Sequence, residues 1–407
     1  MMVTVFFVMY GRLIFAPLLI PIRAELGITT AQAARFFLWM SIGYTCSILL
    51  SGYLAKSILH RRTIALSALL LSVGLFVVGF SATLSFVIVG LLILGFGAGL
   101  YPPSGVSTAT SLVADNIRGR AVALHEVGPS VAFVLAPVIA SLALQVTTWR
   151  GVVIGSAIGA LLLALAFFFL SPAGNFAGAP PHLTHVRGLL KNPLLWAVAG
   201  FITLAASSTY GVFSIMPTYL VDEAGFSIEL VSGVIGASRI SGVVMVFLSG
   251  WLIDRLGTVR LIAVVMLVTG ILTSLIGVAK GTTLLAIVFL QPVVISAFFP
   301  AAISSFAYLG PPEIRNVGVS LIIPVANLTS GGLFPSVMGA LSNTGRTGFG
   351  FSAFGFLMIA SLLLIPMLRK GVSRGESQAL ERSGHVPSVP GTPGTPGTEE
   401  KNGTGNE

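Results

Sequence analysis

Gly52–Arg62 reads GYLAKSILHRR, and Gly250–Arg260 reads GWLIDRLGTVR. The two stretches lie 198 positions apart, and each follows a long apolar run. The same offset carries AELGITTAQAA (Ala24–Ala34) onto DEAGFSIELVS (Asp222–Ser232), with Gly27 falling on Gly225, and Pro102 onto Pro300. Ile117 and Ile314, in IRGRAVAL and IRNVGVSL, are 197 apart. Registers that agree to one residue along the whole chain mark a tandem duplication.

What is duplicated is set by composition. Only 9% of the 407 residues are charged, 55% are apolar, and mean hydropathy is +0.97. A soluble domain carries about 25% charge, so a large soluble core is excluded. Apolar stretches of membrane-crossing length recur throughout, whereas a β-barrel would show short alternating segments. Twelve spans are predicted, at 3–22, 34–55, 64–81, 84–110, 121–145, 151–170, 194–220, 230–253, 260–279, 283–308, 317–341 and 349–368. The expected fold is therefore an all-α membrane protein of two pseudo-symmetric six-helix bundles, 1–170 and 194–370. A Pro-, Gly- and His-rich connector at 171–193 joins them, and a low-complexity tail at 371–407 is expected to be disordered. The opening MMVTVFFVMYG lacks a basic leader and a small-residue cleavage site, so it reads as the first span. Cys46, the single cysteine, reads as a small buried packing residue. The Asn402 sequon falls in a tail expected to be cytoplasmic, where it has no meaning.

Basic residues set the orientation. With the N-terminus inside, the inner connectors and the flank of the last span hold 12 Lys and Arg, among them Lys56, Arg61, Arg62, Arg118, Arg120, Arg187, Arg255 and Arg315. The outer connectors hold 5, namely Arg23, Arg35, Arg150, Lys280 and Arg346. This bias puts both termini in the cytoplasm, as expected for a multi-pass protein of the cytoplasmic (inner) membrane. It also accounts for the net charge of +9 without a nucleic-acid partner. The bilayer is the expected partner, and the chain is expected to be monomeric.

Two arginines interrupt the apolar pattern. Arg12 lies ten residues from Ile22 and Arg239 nine from Leu230, which puts each about 14–15 Å below the outer interface, near mid-membrane. A guanidinium there costs about 3 kcal/mol or more and cannot escape by losing its proton. One belongs to each half, so they can face one central cavity and an anionic solute. The alternative is a structural strut tied to helix carbonyls or to a buried acid. Tyr210, which is Arg12's partner under the repeat, Gln291 and Asn327 stand at similar depth and could donate hydrogen bonds. Tyr44 and Ser41, the latter the repeat partner of Arg239, are further candidates. Glu126 is the one carboxylate predicted within a span; with His125 beside it, it is a candidate proton carrier if buried. Pairing with Arg120 or solvation at the cavity mouth is the competing reading. No metal-ligand cluster, phosphate-binding loop or catalytic triad is present, so neither a cofactor nor an enzyme activity is expected, and transport would not be driven by ATP.

The Gly52–Arg62 loop resembles the G-x-L-A-D-R-x-G-R-R hallmark of the major facilitator superfamily, and Gly250, Asp254, Arg255 and Gly257 carry the same pattern. Gly119-Arg120 and Trp149-Arg150 are also similar. In the first copy Lys56 replaces the Asp and Leu59 the second Gly, so the gating salt bridge that the hallmark implies is expected only from Asp254. The run RLIFAPLLIP from Arg12 and YGVFSIMPTYL from Tyr210 resemble organophosphate:phosphate antiporters, although Thr209 stands where those carry a second arginine. ASRISG around Arg239 is similar to monocarboxylate and oxalate/formate transporters. The resemblance implies a secondary transporter of a small organic anion, a carboxylate more than a phosphate ester, by proton symport or anion exchange. The alternative is a drug or metabolite exporter in which the arginines are structural.

Overall fold

A computed structural model of the protein describes residues 1–114, 117–178, 186–306, 308 and 312–382. Connector positions 179–185 and the tail beyond Arg382, with its Asn402 sequon, lie outside these. So do the side chains of Arg187 and Arg315, which entered the charge count.

The spans are α1 Met2–Leu26, α2 and α3 within Thr30–Gly79, α4 Leu84–Ser111, α5 Arg118–Ala143 and α6 Trp149–Leu170, then α7 Pro193–Glu223, α8 Ile228–Leu256, α9 Thr258–Ile276, α10 Gly281–Ile303, α11 Gly318–Ser342 and α12 Thr347–Ser373. The 50-residue stretch Thr30–Gly79 is two spans, because Leu59 breaks it with φ 72° and ψ 156°. This is the expected twelve-helix fold in two bundles, α1–α6 and α7–α12. Helix continues from Ile365 to Arg382, so 371–382 is not the start of a disordered tail; Glu376, Gln378, Ala379 and Leu380 are good helix formers.

The repeat is written into the backbone. Gly27 and Gly225 both take positive φ, 62° and 75°, after the first helix of each half. Two residues on, Thr29 and Ser227 cap the next helices, their hydroxyls accepting from the N–H groups of Gln32 and Leu230. Leu59 and Gly257 likewise share one conformation, φ 72° and 78°. Glycine reaches that region freely; leucine does so under strain.

Small residues seam the bundles. A methyl group on Gly95 of α4 would run into the Met40 carbonyl of α2, and one on Gly277, the residue just after α9, into the Gly348 carbonyl of α12. The outward faces are apolar, with Phe247, Leu170, Leu363 and Phe349 exposed toward the bilayer. Cys46 is on such a face and is not a packing residue, because the buried stripe of α2 runs through Met40, Ser41, Tyr44, Ser47 and Ser51.

The halves close on each other at the end expected to be outside. Arg23 pairs with Asp222 at 2.5 Å, the Ala31 amide donates to Asn343 Oδ1, and Gly339 lies against Ala34. Within each half Glu25 accepts from Trp149 and Arg150, and Glu223 from Ser342 and Thr347. At the opposite end the first hallmark loop is tied to its own half and to the start of the connector. Arg61 donates to the Phe168 carbonyl, and its amide and that of His60 bond the carbonyls of Gly174 and Phe176. Gly178 packs against the Gly52 carbonyl, which straps the start of the connector onto the first bundle. Arg62 is exposed. In the second copy Gly250 and Gly257 are exposed and Arg255 lies on the Trp251 ring at 4.5 Å. Asp254, from which a gating bridge was expected, is exposed and forms no ion pair among the described residues.

Candidate functional site

The middle of the molecule is built around two widened helical turns. Ser207–Gly211 of α7 and Thr329–Leu333 of α11 are π-helical, and they pack on each other. Such turns cluster at functional sites because they turn backbone groups out of the helical ladder. Here the carbonyls of Ser208 and Thr209 face sideways and are taken up by side chains. Gln291 donates to Ser208 O at 3.2 Å and to Ser208 Oγ at 2.6 Å, and Arg239 Nη2 donates to Thr209 O at 3.0 Å.

Arg12 reaches the same region from the other half. Its Nη2 donates to Asn327 Oδ1 at 2.7 Å, and its guanidinium lies 4.5 Å from the centre of the Tyr44 ring. Because a guanidinium can only donate, the amide oxygen of Asn327 must face it and the NH2 must turn away. That Nδ2 is buried without an acceptor, and so is the hydroxyl of Ser41. Gly331, in the α11 π-turn, holds these groups together: a methyl there would lie 2.7 Å from Ser41 Oγ and 3.2 Å from Arg12 Nη2. A cavity of about 320 Å³ opens beside them, lined by Met9, Arg12, Phe37, Tyr210, Ser214 and Gly331.

Arg239 is 8% exposed and lines a separate cavity of about 250 Å³ with Phe213, Ile235 and Gln291. Its guanidinium is covered by Phe133 of the other half at 4.4 Å and by Phe213 at 5.2 Å, and its Nε has no acceptor. The Phe133 ring also touches Tyr210, at 5.2 Å. Thus Arg12, Asn327 and Tyr210 come together, while Arg239 and Gln291 sit behind Phe133. Among the described residues no carboxylate pairs with either arginine. Sequence reasoning missed Phe133, Phe213 and the π-turns. An aromatic in an apolar span reads as core, and a one-residue widening leaves no trace in hydrophobic spacing.

Glu126 follows the competing reading, solvation at the cavity mouth, and not that of a buried carboxyl. Its side chain is 59% exposed, not buried among apolar groups, while His125 beside it is 4% exposed. Glu126 lies two turns before Phe133 on one face of α5, so it looks into the open end of the central cleft. His125 Nδ1 contacts Glu126 Oε1 at 3.0 Å, and Nε2 contacts the hydroxyl of buried Tyr101, also at 3.0 Å.

Comparison with known proteins agrees with this architecture. The Major Facilitator Superfamily profile matches residues 1–290. The chain belongs to that superfamily. A probable sulfoacetate transporter of Cupriavidus necator, SauU, is 24% identical over 383 residues, which is 85% of this chain and 88% of that one. The fold is similar to a peptide transporter, POT (TM-score 0.75, 14% identity, 91% of this chain and 94% of that one). It is also similar to a bacterial homologue of the human lysosomal transporter Spinster, captured inward-facing and occupied (0.67, 15%, 93% and 96%). A D-xylose–proton symporter matches as well (0.70, 16%, 89% and 95%). This superfamily member is a multi-pass secondary transporter that works by alternating access between its two bundles.

Proposed function

We propose that this transporter moves a small organic anion, a carboxylate or sulfonate, across the cytoplasmic membrane by proton symport or anion exchange. The observation that carries the reading is a cluster of donors without acids. Arg12 lines the cavity, Asn327 Nδ2 and the Ser41 hydroxyl are buried close by without an acceptor, and among the described residues no carboxylate neutralises them. A partly buried guanidinium with no acid beside it carries a desolvation penalty that its contacts in the empty protein only offset, and an anion with two acceptor oxygens adds the paired bonds that the planar guanidinium fork can make. The apolar flank of Met9, Leu13, Phe37 and Met40 suits the carbon body of an organic anion better than an inorganic ion. The name borne by the Cupriavidus relative, a probable sulfoacetate transporter, points the same way. With both termini cytoplasmic, the closed end is the outer one and the conformation is inward-facing. In that state Arg12 would meet the solute first, while Arg239 waits under Phe133 for the bundles to rock.

The test is a thermal-shift panel on the protein in lipid nanodiscs, using sulfoacetate, oxalate, acetate, glycerol phosphate, nitrate and a cationic drug, followed by counterflow in proteoliposomes. A carboxylate or sulfonate should stabilise the protein and exchange across the membrane. Stabilisation and exchange by the cationic drug alone would replace this reading with the exporter one.

A further inference from the structure

Neither mid-membrane arginine is paired with an acid among the described residues, but only one of them is open. Arg12, on α1 of the first bundle, lines its cavity directly. Arg239, on α8 of the second, is shut behind Phe133 at 4.4 Å and Phe213 at 5.2 Å, two rings that meet edge to face at 5.0 Å. The rings differ in what holds them. Phe213 is on α7, in the same bundle as Arg239, and travels with it. Phe133 is on α5, in the bundle of Arg12, and reaches across to the other half. The two bundles come close here: a methyl on Gly236, one turn before Arg239, would lie 3.7 Å from the Val134 carbonyl and 3.5 Å from the Val138 side chain of α5. Phe133 also rests on Tyr210 at 5.2 Å, and Tyr210 lines the Arg12 cavity. Cavity, Tyr210, Phe133 and Arg239 are thus successive neighbours, and the Arg239 Nε–H at the end of that row has no acceptor.

We propose that Phe133 is a specificity-determining lid: it occupies the face of Arg239 in this conformation and yields to the second acidic group of a solute that Arg12 already holds. The solute class that follows is an anion with two acidic groups on a short carbon body. The inference rests on the anion-transport reading above and deepens it. A ring face attracts a guanidinium through its quadrupole, yet it offers Nε–H nothing to donate to. An acidic group supplies both charge and acceptor oxygens, so it displaces the ring once it arrives. Arrival is what separates solutes. An anion with one acidic group, held by Arg12, has no second charge to exchange for the ring, and another molecule must find the shut site from solution. An anion with two presents its second group at high effective concentration, because the first is anchored on the neighbouring arginine. The exchange also matters for transport. A solute held by Arg12 alone leaves the Phe133–Arg239 contact between the bundles as it is in the empty protein. One that takes over Arg239 replaces that contact with a bridge from one arginine to the other. A ligand shifts a conformation only through contacts that differ between states, and the bridge is such a contact.

The probes are oxalate, sulfoacetate and succinate, with two acidic groups at different separations, and acetate, with one. Calorimetric titration in nanodiscs compares them on wild type, Phe133→Leu, Arg239→Gln and the double variant. Leucine keeps the apolar bulk of the lid and removes its π face. Phe133→Leu should therefore tighten the best two-acid probe roughly three- to tenfold, the strength of the contact it no longer has to break. Acetate should stay within about twofold, since it never opens the lid, and the tightening should vanish in the Arg239→Gln background. A phenylalanine that served only as packing would lower stability and shift all four probes alike. Phe133→Met, whose side chain adapts to an irregular gap, replaces the leucine variant if that one does not fold. In proteoliposomes at matched occupancy, acetate counterflow should be roughly tenfold or more slower than that of the best two-acid probe. Two-acid affinity that is unchanged or weakened in Phe133→Leu, tightening that survives Arg239→Gln, or acetate exchanging as fast as the others overturns the lid while leaving the anion reading standing. Wild-type protein that neither binds nor exchanges any of the four sinks the anion reading, and the lid with it.

Discussion

Replacing Arg12 by Gln separates a binding arginine from a structural one, because the two roles predict opposite changes in stability. In the empty protein Arg12 makes one charge-assisted bond, to Asn327, of about 1.5–3 kcal/mol. It also makes one cation–π contact over Tyr44, of about 0.5–2 kcal/mol. Against these stands the penalty of a guanidinium at mid-membrane with no acid beside it, about 3 kcal/mol or more. The terms nearly cancel, and Gln can still donate to Asn327. The empty variant should thus be as stable as wild type to within about 1 kcal/mol, or more stable. Bound anion is another matter. Removing one partner of a buried charge pair costs about 2–5 kcal/mol, which is roughly 30-fold to a few thousand-fold in Kd. Arg12→Lys should recover only part of this, since a point charge cannot offer two parallel N–H groups. Thermal unfolding in nanodiscs gives the first quantity. Calorimetric titration with whichever anion the panel identifies gives the second. A variant that is several kcal/mol less stable when empty, yet binds the anion normally, would show Arg12 to be a strut and refute the reasoning.

Leu59→Gly should stabilise the protein by about 1 kcal/mol, the relief of about 1–3 kcal/mol of backbone strain exceeding the added chain entropy of glycine; a lowered unfolding midpoint in denaturant would show that the leucine side chain matters more than its φ. For orientation, with Cys46 first changed to Ser, a Cys at Thr344 should react with an impermeant maleimide from outside and one at Lys191 should not, both positions being exposed. The reverse labelling would turn the molecule over.

What the sequence exposed was local. Gly27 and Gly225, Thr29 and Ser227, Leu59 and Gly257 all hold their places because caps and positive-φ turns are dictated by a few neighbouring residues. The depth of Arg12 and Arg239 was equally legible, being a matter of counting along one helix. Partnership was not. Asn327 meets Arg12 across 315 positions of chain, and Phe133 covers Arg239 from the opposite bundle, so each side chain's role depends on which face its helix turns inward. Whether Glu126 is buried or solvated stayed open for that reason: α5 presents it to the cleft and hides His125 instead. Cys46 repeats the lesson on α2, where a rotation of one residue separates the packed Ser47 from the lipid-facing thiol.

The glycine seams have a mechanical consequence. Where backbone meets backbone, as at Gly95 against Met40 and Gly277 against Gly348, a bundle has no long side chains whose rotamers could absorb a push. Each half is accordingly stiff, and a small rotation started at the cavity arrives undiminished at the ends. The compliant material lies elsewhere, in the π-turns of α7 and α11 and in the side chains between the halves, such as Phe133. A leucine in place of Gly95 would therefore do more than perturb packing. It would make the lever itself flexible, and the molecule could bind its solute at one face while failing to open the other.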